Sequence, residues 1–305
     1  MTENEQAHEA RTARRVRLAV AQSPLRRDPR DGEALRATGR ELRGLMREAH
    51  EAGARIVHFP EGALCSPDKH VLAAGQDGAA QWEQAAWDVL RQELAAIASL
   101  AGELGLWTVV GAPHRLTGPN RPHNSLYVID DRGRIVTRYD ERLLSYTKVT
   151  RMYTPGREPA TFVVDGMRFG CLLGIEVHYP GLVAEYERAE VDCVVFSTAG
   201  GMTAEESAVF AVEAQAHASI HSLWMSFAVD AAHGMAAPAG VVSPAGDWLA
   251  RCGDAAGLAV ADLDDAADSV EVAVHRARPW RRTARSGLYA SHFVHDPRSE
   301  DRTLI

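Results

Sequence analysis

Glu61 is the first residue of the chain whose type and place point to chemistry. It closes the string Ile56-Val57-His58-Phe59-Pro60-Glu61, in which a short apolar run stops at a proline. A carboxylate at the C-terminal mouth of a buried strand works against stability, because an unpaired buried charge is expensive; a general base or a ligand-holding group gives it a reason. Cys65 follows four residues later, in a turn-rich segment that could line the same mouth. A thiol there is a candidate nucleophile if its surroundings release the thiolate. The second place is the stretch Arg168 to Pro180 (RFGCLLGIEVHYP). An apolar run enters a turn at Gly174 and leaves through Pro180 toward a helix, and such a strand-to-turn junction aims residues into a cleft at the strand's C-terminal end. Glu176 and His178 flank that turn. Cys171, three residues before Gly174, points to the opposite face of an extended strand and reads as a small buried hydrophobe. Cys193 sits inside an apolar strand, Cys252 lies in a turn that offers it no role, and His58 reads as a core or edge histidine. The histidines make no HExxH or other compact ligand set, so neither a zinc centre nor another cofactor is expected.

These residues need a scaffold, and the composition allows a large one. The chain has 305 residues, 46% of them hydrophobic, with a formal net charge of −8. That supports a sizeable core and argues against a nucleic-acid surface. No stretch approaches the length of a membrane span, and the N-terminus has no apolar export segment. With four widely spaced cysteines, the expectation is a cytoplasmic protein with reduced thiols and a small-molecule ligand or substrate, without nucleic acid or membrane partners. The basic run Arg11 to Arg17 reads as a solvated arm. The arginines around Trp280 (Arg278, Arg281 and Arg282) read as packing through arginine–carboxylate pairs.

Apolar patterning supplies the elements. Residues 17–22, 56–59 and 107–111 read as strands, separated by helices over 33–52 and 79–103 with apolar positions at three- and four-residue spacing. This βαβα opening predicts a largely parallel sheet covered by helices. Two hairpins follow, one turning at 131–133 and one at Asp165-Gly166. Then come a helix over 181–190, a strand over 191–196, a helix over 203–220 and a strand over 222–228. A β-rich end over 239–263 reads as a meander. The organisation predicted is an arm over 1–15, one domain over 16–290 with two sheets inside and helices outside, and a tail over 291–305.

In this order and spacing, several strings resemble the carbon–nitrogen hydrolase family, the nitrilase and amidase superfamily. They are Val20-Ala21-Gln22, Phe59-Pro60-Glu61, His123-Asn124-Ser125, Tyr139-Asp140-Glu141-Arg142, Tyr153-Thr154-Pro155-Gly156, Gly170 through Pro180, Val242-Ser243-Pro244-Ala245-Gly246 and Ala277-Arg278-Pro279-Trp280. The resemblance covers about residues 16–290. It implies an α/β fold of four layers, an αββα sandwich, in chains that pair through helices as homodimers. It also implies attack by a cysteine thiolate on an amide or nitrile carbon, with a glutamate as general base and a lysine steadying the intermediate.

Carried over residue by residue, the resemblance places Glu61 at the general base, Glu141 where the lysine is expected, and Gly174 where the cysteine is expected. Glu176 resembles the acid that orients the turn backbone. A negative charge at 141 opposes oxyanion stabilisation, and two carboxylates around one small cavity raise one pKa or recruit a cation. Lys148 could reach inward to replace the ammonium, but a solvated loop lysine is the expectation. Three functions stay open: a degenerate family member that binds a small polar or amine-containing ligand, a hydrolase of amide-type carbon–nitrogen bonds using Glu61 and Glu141 with water or Cys65, and a structural homo-oligomer.

Overall fold

The computed structural model describes residues 13–67, 82–285 and 287–295. Two six-stranded sheets form its centre. The first runs β5 (Ile135–Asp140), β4 (His123–Ile129), β3 (Trp107–His114), β2 (Ile56–His58), β1 (Arg15–Ser23) and β12 (Gly257–Asp264). The second runs β6 (Thr161–Val164), β7 (Met167–Leu173), β8 (Cys193–Ser197), β9 (Trp224–Asp230), β10 (Gly240–Val242) and β11 (Trp248–Arg251). At one corner β1 and β9 pair in parallel, Gln22 with Val229 and Ser23 with Asp230, so the sheets join into one nearly closed surface. The strands β1–β2–β3 and β7–β8–β9 are parallel; the flanking strands are antiparallel.

Helices cover both outer faces, which completes the αββα sandwich. On the first sheet, α1 (Gly32–Glu51) and α2 (Trp87–Leu104) bury Leu35, Leu42, Met46, Leu90 and Ile97 against Val57, Phe59 and Val110. Asp31 starts α1 by accepting from the amides of Glu33 and Ala34, satisfying two of the four free donors of its first turn. On the second sheet, α3 (Pro180–Arg188) and α4 (Ala204–His221) bury Val183, Tyr186, Phe210 and Ala214. Between the sheets lie Leu18, Val20, Ile56, Val109, Leu126 and Val128, facing Phe162, Phe169, Cys171 and Val195, while Phe196 and Phe227 turn to the outer face under α4. In β4 the alternation is strict: Leu126 and Val128 belong to the inner core, Tyr127 and Ile129 to the outer one.

Several sequence expectations need correction. Helix α2 starts at Trp87, not 79, and residues 79–81 lie outside the described part of the chain. The chain turns before α2 because Trp82 packs against Tyr153 and Trp87, at ring distances of 5.6 and 5.5 Å. The late β-rich segment is not a meander. Strands β10 and β11 form a hairpin on β9, while β12 crosses to the first sheet and pairs antiparallel with β1 from Arg15 to Gln22. The basic run is not all arm. Residues 1–12 lie outside the described residues, but Arg14 pairs with Asp192 and Asp265 at 2.9 and 2.7 Å, and Arg15 and Arg17 both pair with Asp262 on β12. At the other end, α5 (Arg278–Arg285) packs as expected through Arg278 with Asp192 and Arg282 with Glu190, each at 3.1 Å; Arg281 differs and goes to Ser222 and the carbonyl of Ile220.

Candidate functional site

Glu61 follows β2, Gly174 follows β7 and Ala199 follows β8, so all three stand at the C-terminal ends of parallel strands, where side chains from neighbouring loops can converge. The antiparallel hairpin adds its own residues at the same end: Asn124 near the start of β4 and Glu141 just past the end of β5. These groups meet. The ammonium of Lys148 donates to Glu61 Oε1 at 2.5 Å and to Glu141 Oε1 and Oε2 at 2.9 and 2.7 Å. Asn124 Nδ2 donates to both carboxylates, at 2.9 Å to Glu61 and 2.6 Å to Glu141, and the amide of Ala199 donates to Glu61 Oε2 at 3.2 Å.

Burial makes this cluster costly to leave unbalanced. Glu141 is fully buried, and Lys148 and Glu61 are only 3% and 4% exposed. Burial alone would lower the Lys148 pKa, but Glu141 and Glu61 outweigh it and hold the ammonium charged. One ammonium faces two carboxylates, so one negative charge is in excess. The excess falls on Glu141: burial, with the nearby charges of Glu61 and Glu176, pushes its carboxyl up to about 8 against the pull of Lys148. The cluster is close to neutral when Glu141 holds a proton.

Lys148 is therefore not the solvated loop lysine expected from its neighbours in sequence. It opens a wide helical turn, Lys148–Met152, closed by the Tyr153 amide on the Lys148 carbonyl at 2.8 Å. That turn is strapped to the chain before β4. Arg121 donates to the carbonyls of Val149 and Thr150 at 2.6 and 2.9 Å, the Thr154 amide donates to the Pro122 carbonyl at 2.8 Å, and the ring of His123 donates to the Thr154 carbonyl at 2.7 Å. The same strap thus sets Lys148 and, one residue past His123, Asn124.

Gly174 sits against the cluster with φ +54°, a left-handed conformation that costs a side-chain-bearing residue. A Cβ at this position would lie 2.8 Å from Glu141 Oε1, 2.9 Å from Lys148 Nζ and 3.2 Å from Glu61 Oε2. The turn it opens is held by Glu176, which is fully buried and accepts from four donors: the amides of Leu173, Arg142 and Leu143 at 2.8, 2.7 and 3.1 Å, and the Tyr139 hydroxyl at 2.7 Å. Glu176 thereby fastens the Gly174 turn to the end of β5, where Glu141 stands.

Two other candidates lie elsewhere. Cys65 is fully buried in the apolar layer under α1 and α2, with Phe59, Ala63 and Leu64. Burial, with the charge of Asp28, pushes its thiol up to about 12, so it is not a thiolate near neutral pH. His178 points outward, bonded to Glu213 at 2.6 Å and stacked on Phe210 at 5.0 Å. His58 is a core residue: its ring bonds Ser226 and Ser197 at 2.9 and 2.7 Å, and burial lowers its pKa to about 3, keeping it neutral. Among the described residues no group of three or more His, Cys, Asp or Glu is placed to hold a metal ion.

A family model described as carbon-nitrogen hydrolase matches residues 17–271. The chain belongs to the carbon–nitrogen hydrolase family. This hydrolase-family chain is 26% identical over 272 residues to each of two proteins of Mycobacterium tuberculosis, Hydrolase MT0498 and Hydrolase Rv0480c, covering 82% of this chain and 89% of theirs. In architecture it is similar to an amidase from Nesterenkonia sp. AN1. A cysteine-to-alanine mutant of that amidase aligns with a TM-score of 0.68 at 21% identity, over 90% of this chain and 98% of that one. A glutamate-to-glutamine mutant showing covalent addition of the acetamide moiety of fluoroacetamide at the active site cysteine aligns with a TM-score of 0.67 at 21% identity, over 88% and 96% of the two chains. At this identity the likeness is one of fold.

Sequence reading missed Asn124 and the Ala199 amide as members of the cluster. Asn124 had a signal, since it lies in one of the family-like strings and the alternation of β4 turns it to the inner face with Leu126 and Val128. The Ala199 contact comes from a backbone group and left no trace in side-chain types.

Proposed function

We propose that this carbon–nitrogen hydrolase family protein has given up cysteine-dependent hydrolysis and holds a small polar ligand without forming an acyl-enzyme. The observation that supports this most directly is the company kept by Gly174: a residue with no nucleophile, beside an ammonium already shared between two carboxylates. In this reading Gly174 stands where the family places its cysteine, and Glu141 where it places its lysine. Lys148 fills the slot that an amine ligand would take, so an uncharged polar ligand such as a primary amide suits the cluster better than an ammonium. Cys65, held as a neutral thiol, does not replace the nucleophile. A second reading has one observation in its favour. A carboxyl kept protonated at Glu141 beside Glu61 resembles a general acid–base pair and would suit attack by water.

Intact-mass analysis, read beside product release, tests the proposal on the whole chain. Acrylamide and fluoroacetamide are the probes, because each adds at the active site cysteine of Nesterenkonia amidase mutants; small amides, nitriles and N-carbamoyl compounds complete the panel. The expected result is no adduct and no product, with butyramide binding detected by calorimetry. Turnover or an adduct abolished by Cys65→Ala would overturn it in favour of a relocated thiol. Turnover indifferent to Cys65→Ala but lost in Glu61→Gln would establish the carboxylate mechanism instead. Neither turnover nor butyramide binding would leave a structural role.

A homodimer is part of the same proposal. On α4, Val209, Val212, Ala216 and Ile220 repeat at helical spacing and face outward, with Val212 and Ile220 64% and 58% exposed. An unpartnered apolar stripe of this length fits a second copy of the chain. Light scattering should show a dimer for the native chain and a monomer for Val212→Glu; a native monomer across micromolar concentrations would exclude it.

A further inference from the structure

We propose that a cavity on the outer face of the first sheet is a binding site for a small amphipathic carboxylate. The cavity, about 370 Å³, lies between α2 and the strands β3 and β4. Trp87, Leu90 and Leu94 of α2 and Pro113 of β3 form apolar walls, and His114, Arg115 and Tyr127 bring the polar groups. Its volume is at the small end of the range for ligand cavities, about 300–1,000 Å³.

The directions of the hydrogen bonds show what is missing. Arg138 Nη1 bonds His114 Nε2 at 2.9 Å; a guanidinium can only donate, so Nε2 is the bare nitrogen and the imidazole proton is on Nδ1. That Nδ1–H then donates to the Tyr127 hydroxyl oxygen at 2.7 Å. The Tyr127 proton is left over. Burial, opposed by the charge of Arg138, pushes the phenol up to about 12, so the proton stays on, and with the side chain only 8% exposed it needs an acceptor in the cavity it lines.

The charges point the same way. Arg91 pairs with Asp88 at 2.9 Å, and Arg138 pairs with Asp140 at 2.7 and 3.0 Å, so those charges cancel. Arg115 lies over the Trp87 ring at 5.5 Å, and among the described residues no carboxylate pairs with it. The cavity thus offers one neutral donor, one unbalanced cation and an apolar wall. A carboxylate head with a short alkyl or aryl tail uses all three. An amine would meet the wrong charge, and an alcohol would leave the cation unused.

This site is separate from the Glu61 cluster. Asn124 and Glu141 turn to the inner face of β4 and β5. Their neighbours Ser125 and Asp140, bonded to each other at 2.6 Å, turn to the outer one. Its occupancy therefore does not depend on the function proposed for that cluster.

Calorimetric titration of the full chain with hexanoate, hexanamide and hexanol tests the inference. Hexanoate should bind, and at least tenfold more tightly than hexanol. Arg115→Ala, an exposed change that leaves the core intact, should weaken hexanoate about tenfold and remove the preference over hexanol. Tyr127→Phe should weaken hexanoate by a similar factor. Leu94→Trp, which fills the cavity, should abolish binding of all three while circular dichroism stays native. Absence of hexanoate binding, equal affinity for hexanol, or affinity unchanged in Arg115→Ala or Leu94→Trp would each overturn it. Loss in Tyr127→Phe alone, with Arg115→Ala unchanged, would overturn the anion reading in the same way.

Discussion

Lys148→Met removes the cation that bonds both buried carboxylates of the cluster and is the sharpest test of what holds this end of the sandwich. In the native chain Lys148 Nζ reaches Glu61 at 2.5 Å and Glu141 at 2.7 Å, and all three side chains are almost wholly out of water. Breaking a buried pair by removing one partner costs about 3–5 kcal/mol, because it strands the remaining charge. For a chain of this size, roughly 2 °C per kcal/mol gives a fall in Tm of about 6–10 °C. The deficit should also depend on pH, and its sign follows from Glu141. The folded carboxyl already titrates at about 8, above its ordinary 4.5, so the native chain binds an extra proton between those values. Stability from that proton is fully present below about 4.5 and is lost as pH rises through the folded pKa. Without Lys148 Glu141 keeps its proton and the carboxylate left stranded is that of Glu61, which has to take up a proton to stay buried, so the variant should be near native at pH 5 and weakest at pH 8. Thermal melts at both pH values measure this, and Lys148→Met/Glu61→Gln should recover most of the loss at pH 8 by removing the stranded charge. A variant as stable as the native chain at pH 8, or a deficit that shrinks with rising pH, would refute the account.

Three further changes test the supports of the cluster. Gly174→Ala should lower stability by about 1–2 kcal/mol in denaturant melts, from the left-handed backbone at φ +54° and the contacts at 2.8–3.2 Å; an unchanged midpoint would mean the turn relaxes freely. Glu176→Ala strands four donors at once, two of them buried and two part-buried, and should cost about 3 kcal/mol or more, with loss of near-ultraviolet dichroism from Tyr139; a cost below about 1 kcal/mol would show that the turn is held by other means. Arg121→Ala frees the carbonyls of Val149 and Thr150 and should speed hydrogen exchange over residues 148–153 well beyond the rest of the chain, and uniform exchange would count against the strap.

Much of the scaffold was legible in the sequence because local rules and the tertiary structure agree. Helix α1 has an aspartate cap, an apolar stripe and a stop at Gly53, and it spans Gly32–Glu51 as its periodicity predicts. The hairpin at Asp165-Gly166 turns with φ +45° and +83°, as that dipeptide favours. Where tertiary contacts override local preference, the reading failed. The alanine-rich run before Trp87 has helical composition, yet Trp82 is drawn onto Tyr153, and the Ala86 amide bonds the Pro29 carbonyl at 2.8 Å. Strand β12 follows β11 closely in sequence, but its partner β1 lies more than 200 residues away. Cys65 looked accessible because its neighbours are turn formers; the layer of α1 and α2 that covers it comes from remote sequence.

The least legible feature was the cation, and the reason bears on the proposed function. A position-by-position comparison treats Glu141 as a reversed charge and scores it as damage. An ammonium, however, is a point charge on a flexible four-carbon stem, so where Nζ ends matters more than which residue supplies it. Lys148 places that charge 2.7 Å from Glu141 and 2.5 Å from Glu61, and the cluster holds a cation beside its two acids. Charge is a fungible quantity across neighbouring strands in a way that a nucleophile is not. A thiol has to sit at bonding distance from the substrate carbon, with its pKa lowered where it stands. None of the four cysteines, all buried, meets that condition: the thiols of Cys65, Cys171, Cys193 and Cys252 are all pushed upward by burial. The reversed charge at 141 is therefore weak support for a silent centre, and the glycine at 174 is the strong one. If Glu61→Gln turns out to abolish an activity that Cys65→Ala leaves intact, it is the water mechanism, built on Glu61, Glu141 and Lys148, that this distinction singles out.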